Sequence, residues 1–198
     1  MKPVISMKDL LFPNAETNLF SWYSATILAA VAVGFAVHAG AVRRGDRRFW
    51  PFVVLAGTAL LLSADEAAML HERLDGLAAW LGLSLSWGYQ WIIIGVPIAI
   101  LAGVVLLWLA RSLDPVLRKR LVVAGFVFLL GAIGGEVLGG MITKVEVGLS
   151  NDISYLAHSA AILIEETLEV CGALLALGAV LKHLQVRRAG KAVLLESS

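Results

Sequence analysis

With one cysteine in 198 residues, Cys171, the chain cannot form an internal disulfide. On the glycine-rich face of its segment this thiol reads as a small packing residue. Charge is also scarce: Asp, Glu, Lys and Arg make up 16% of the chain against 59% hydrophobic residues, and the mean hydropathy is +0.84. A soluble domain carries less apolar and more charged residue than this, so soluble folds are excluded. The P-loop, GxSxG, HExxH and CxxC patterns of soluble catalysis are missing. So are solenoid repeats, low-complexity tracts and flexible linkers. The opening MKPVISMKDLLFPN has no apolar core of a cleavable signal peptide. Its SMKDLLF piece, stopped by Pro13, reads as a short amphipathic turn on the outer surface. No nucleic-acid partner is expected.

What the chain does have is long apolar runs. Five windows, 21–42, 50–72, 88–110, 121–142 and 156–181, reach the roughly 20 residues that a helix needs to cross a hydrocarbon core. The expected fold is an all-α integral membrane protein, a single domain of five transmembrane helices over residues 1–198. Arg43, Arg44, Arg47 and Arg48 lie between the first two windows, and Arg111, Arg118, Lys119 and Arg120 between the third and fourth. Lys182, Arg187, Arg188 and Lys191 follow the fifth, while the remaining loops are poor in basic residues. The positive-inside rule therefore predicts an outer N-terminus and a cytoplasmic C-terminus in the cell inner membrane, the basic tail resting on anionic lipid.

Local signals agree with these windows. Pro51 opens the second where its missing N–H costs little, and Trp50 marks an interface. Trp87, Tyr89 and Trp91 read as an outer aromatic belt on the third, and Pro97 as a kink. In GAIGGEVLGG, Gly131, Gly135 and Gly139 recur every four residues, a face that permits close helix approach within the chain or in a homodimer.

Against this background the ionisable residues inside the windows stand out. Asp65, Glu66, His71 and Glu72 fall in the second, Glu136 in the fourth, and His158, Glu165, Glu166 and Glu169 in the fifth. Counted from the basic end, Asp65 lies about 21 Å above Pro51, Glu136 about 22 Å above Leu121 and Glu166 about 22 Å above Leu181. His71 and His158 share a higher level, at about 30 to 34 Å. His158, Glu165 and Glu169 lie on one helical stripe, and Asp65 and Glu72, seven apart, on another.

An ionised carboxylate near mid-membrane costs at least about 2.5 to 3.5 kcal/mol. Six or seven of them rival the entire stability of a domain, about 5 to 15 kcal/mol. Arg73, the only nearby base, sits where it either snorkels outwards or pairs with Asp75 or Glu72. Bound cations, shared protons or a water-filled cavity must supply the rest.

Carboxylates from three helices with two imidazoles suit one or, more in keeping with bridging carboxylates, two divalent transition-metal ions, Fe, Mn or Zn. The expected ligands are Asp65, Glu66, His71, Glu136, His158, Glu165 and Glu169. Glu72 and Glu166 are the acid/base candidates of an enzyme, oxidoreductase or hydrolase, acting on a lipophilic substrate. The Glu-x-x-His signature of soluble di-iron bundles is missing: Glu166-x-x-Glu169 has the spacing without the His. The alternative is a divalent-cation or proton-coupled transporter built on the same acids. That reading lacks a path, because only His38, read as an interfacial residue, and Ser63 offer polarity in the inner half. A register-fixing polar network is less economical than one of Ser, Thr, Asn or Gln. A haem between His71 and His158 leaves the acids without a purpose.

Overall fold

A computed structural model of the protein describes residues 19–85, 89–145 and 151–196. Their regular structure is helical: α1 (Leu19–Gly40), α2 (Phe49–Ala68), α3 (Leu74–Trp80), α4 (Ile92–Ala110), α5 (Pro115–Val145) and α6 (Asn151–Glu196). Four of these are long and apolar enough to cross a membrane, over Leu19–Gly40, Phe49–Ala68, Ile92–Ala110 and Pro115–Ile142. The fifth expected window, 156–181, lies within α6, where Glu165, Glu166 and Glu169 interrupt the apolar run. At 46 residues α6 is about 69 Å long, more than twice a hydrocarbon core. The SMKDLLF piece and Trp87 lie outside the described residues.

The helix starts follow from local chemistry. Pro51 occupies the first turn of α2, where no N–H is required, and Trp50 beside it is exposed. The Asp114 side chain accepts the N–H groups of Val116 and Leu117 at 3.0 and 3.2 Å, capping α5. Between α1 and α2 the Arg48 guanidinium grips Asp46, with Nη2 2.6 Å from Oδ2 and Nε 2.9 Å from Oδ1. This loop and the α4–α5 connection meet around a shared surface hollow, so both basic loops sit at one end of the bundle.

α1 lies between α2 and α6, and α6 runs along α5. Close approach is made by small residues, as membrane-helix packing requires in the absence of a hydrophobic drive between helices. A methyl added at Gly131 would lie 2.8 Å from the Glu165 carbonyl oxygen, and one at Gly172 would lie 2.6 Å from the Phe128 nitrogen. One at Gly135 would lie 2.5 Å from the Glu165 Cβ, whereas Gly139 has nothing within 4 Å. Gly131 and Gly135 are thus used inside the chain. At the basic end Val31, Phe35, Phe52, Leu117 and Val180 fill a core shared by α1, α2, α5 and α6. α4 is peripheral: its fully buried residues are Ile92 and Ala110 at its two ends.

Several sequence expectations require correction. The second window was expected to run to residue 72, but α2 stops at Ala68, and His71 and Glu72 lie in the following turn. Met69 takes a left-handed conformation, φ 46°, its N–H donating to the Asp65 carbonyl at 2.7 Å. A shared helical stripe for Asp65 and Glu72 therefore does not exist. His38, expected at an interface, is fully buried: its ring stacks on Phe52 at 5.0 Å, faces His183 at 4.9 Å and places Nε2 3.3 Å from the Val180 carbonyl. Cys171 is exposed and Gly172 beside it makes the close approach, so the thiol is not a packing residue.

Candidate functional site

The end of α2 builds the first wall. Asp65 uses both carboxylate oxygens on His71: Oδ1 accepts the backbone N–H at 2.7 Å and Oδ2 lies 3.0 Å from ring Nδ1. These bonds close the turn that the left-handed Met69 opens, offsetting a conformational cost of about 1–2 kcal/mol. They also orient the imidazole so that Nε2 points across to α5, where Glu136 Oε1 is 3.9 Å away. A carboxylate on one ring nitrogen that leaves the other facing a cavity is how metal-binding histidines are commonly held.

The second wall is the α5–α6 pair. Because Gly131 and Gly135 bring α6 within contact distance, Glu136 on α5 and Glu165 and Glu169 on α6 are delivered to the same side. Glu169 is buried, 8% exposed, and Glu136, Glu165 and Glu166 are partly buried.

A single cavity of about 770 Å³ joins these walls. Asp65, Glu66, His71, Glu72, Glu136, His158, Glu165, Glu166 and Glu169 all line it. The residues picked from depth and spacing are therefore brought together around one space, although they come from α2, the turn after it, α5 and α6. Among the described residues, no group of three or more His, Cys, Asp or Glu side chains is drawn close enough to hold one ion.

Three further lining residues were not expected in the site. Trp91, read as part of an outer belt, is 7% exposed and packs edge-on against His71 at 4.9 Å. Its indole N–H is buried and faces the Glu136 carboxylate. Asp75, expected as a partner for Arg73, accepts the Trp91 backbone N–H and so pins the start of α4 over the cavity. Tyr89 also lines the cavity, beyond the spans; burial first, and then the charges of Glu136, Glu165 and Glu72, raise its phenol above the usual value. The signal for Trp91 was present in the sequence, since it stands four residues before Gly95, where its ring packs.

Below the acidic level the lining becomes apolar, with Leu61 and Leu62 from α2, Ile98, Ala99 and Ala102 from α4, and Phe128 and Leu129 from α5. The arrangement is that of an all-helical protein, four of whose helices are long and apolar enough to cross a membrane, around a half-acidic, half-apolar chamber. Residues 3–184 match the family described as Domain of unknown function (DUF8692), and the chain belongs to it. No curated protein and no solved structure matches the chain.

Proposed function

We propose that the protein is a five-span inner-membrane enzyme, N-terminus outside and C-terminus cytoplasmic, that uses a transition-metal site in its acidic cavity on a lipophilic substrate. The observation that carries the reading is the convergence of nine carboxylate and imidazole residues from three helices and one turn on a single cavity. So many acids at membrane depth need neutralisation, and one or two Fe, Mn or Zn ions supply it with the donor chemistry present. His71, held by Asp65, and Glu136 form a donor pair across the cavity, with Nε2 3.9 Å from Oε1, and Glu165, Glu169, Glu66 and His158 complete the set. Such a metal would activate water or oxygen. Glu72, exposed at the rim, and Glu166 hold and pass protons between the site and the outer face.

Two features support the orientation and the enzyme reading over a carrier. Both basic loops lie at the end opposite the cavity, as the positive-inside rule requires of an outward-facing site. A carrier also needs a route to that basic end, where packed side chains of α1, α2, α5 and α6 fill the described interior.

The test is a metal-dependent thermal shift of the purified protein. At a hundredfold excess over Kd, binding to the folded state adds about 2.7 kcal/mol. For a chain of this size that raises Tm by about 5 to 11 °C. Fe²⁺, Mn²⁺ or Zn²⁺ should produce such a shift, Ca²⁺ should not, and Glu136→Gln should remove it. Absence of a shift with all three transition metals would refute the reading.

A further inference from the structure

We infer that the cavity takes up a single lipid chain sideways from the membrane, past α4, and presents it to the acidic level through a polar head that bears hydrogen-bond donors and no negative charge. This deepens the function proposed above by naming its substrate class: a long-chain alcohol, amide or amine rather than a fatty acid or lipid phosphate.

The shape of α4 carries the first half. It is anchored at Ile92 and Ala110, touches α2 and α5 at few points, and has no fully buried residue between its ends. Its Ile98, Ala99 and Ala102 nonetheless line the cavity. The space is therefore bounded on one side by a helix with little to hold its middle in place. From Trp91 at the acidic level to Ala102 is about 16 Å, half of a hydrocarbon core of about 30 Å and so the depth of one leaflet's chain.

Charge carries the second half. Eight acidic residues line the cavity, and no Lys or Arg among the described residues does. Two divalent ions would offset four of those charges and shared protons the remainder, so the wall holds hydrogen-bonding groups but no cationic side chain to pair an anionic head. A head group that donates hydrogen bonds meets complementary partners there. Glu169, 8% exposed, brings a buried carboxylate to that wall. Trp91, 7% exposed, adds a buried indole N–H beside Glu136, a donor that a hydroxyl or amide oxygen entering the cavity can also reach. An anionic head would be desolvated there with no Lys or Arg among the described lining residues to pair it.

The experiment is native mass spectrometry of the full chain in detergent, with hexadecanol, hexadecylamine and hexadecanoic acid as probes of equal chain length, before and after chelator treatment. The alcohol and the amine should be retained at least about tenfold better than the acid, the least penalty expected for desolvating an unpaired carboxylate. Ala102→Phe and, separately, Ala99→Phe should each reduce retention about tenfold, because the ring occupies chain space, while Tm stays within 2 to 3 °C of wild type on this exposed helix. Equal retention of the acid, or full retention in both filled variants, would overturn the inference. Retention with the stated preference in a protein that shows no metal shift would sink the metal reading alone. A metal shift without the head-group preference would sink this inference alone.

Discussion

Three glycines that look alike in the sequence should respond very differently to alanine. Gly172 of α6 faces the backbone of α5: an added Cβ would sit 2.6 Å from the Phe128 nitrogen and 2.7 Å from its Cα. Ordinary contact begins near 3.4 Å, so the helices must separate by about 3.4 − 2.6 = 0.8 Å. Overpacking of this kind costs about 1 to 3 kcal/mol, and a backbone neighbour, which cannot rotate away, puts Gly172→Ala at the upper end. Alanine returns about 1 kcal/mol as a better helix former. The net loss of about 2 kcal/mol lowers Tm by about 4 to 8 °C for a chain of this size. Gly139→Ala meets nothing within 4 Å and keeps only the gain, raising Tm by about 2 to 4 °C. Gly135→Ala falls between, since it pushes the Glu165 side chain rather than the backbone, and it should also weaken metal binding. Thermal unfolding of the three variants in one detergent gives the order Gly172, Gly135, Gly139 from least to most stable. Equal Tm values for Gly172→Ala and Gly139→Ala would refute the close α5–α6 pairing on which the site geometry depends.

Asp65→Asn should reduce metal affinity by about 10- to 100-fold, because the amide no longer holds the His71 ring as an anionic acceptor; titration of wild type and variant with Zn²⁺ measures it. His38→Ala should cost about 2 to 4 kcal/mol by leaving a hole between Phe52 and Val180, yet leave the metal content unchanged, which separates a core histidine from a site histidine. Cys171→Ala should leave stability within about 0.5 kcal/mol, as expected for an exposed thiol away from any packed contact.

The long apolar runs were legible in the sequence because hydropathy over some 20 residues is a strong signal, and each of the first four windows falls on a helix within a few residues. The acidic residues were legible for the complementary reason that charge at such depth is rare. Their convergence on one cavity could be anticipated from depth alone, since helices that share a starting plane bring equal counts to equal heights. What was missed depends on tertiary contacts. The stop of α2 at Ala68 arises from Asp65 reaching forward to His71, a side-chain bond that periodicity cannot register. Trp91 resembles an interfacial aromatic until Asp75 anchors its backbone and turns the ring inward over Gly95. His38 sits near basic residues in the sequence, but Phe52, His183 and Val180 enclose it from two other helices.

The central claim is that the acidic cavity is a metal centre, and elemental analysis of the purified protein tests it most directly, with Glu136→Gln and Glu169→Gln prepared alongside. About one or two equivalents of Fe, Mn or Zn per chain in wild type, lost in both variants while each remains folded, is the expected result. Wild-type protein without metal after reconstitution, or variants that retain the wild-type content, would contradict it and leave shared protons as the means by which these carboxylates are neutralised.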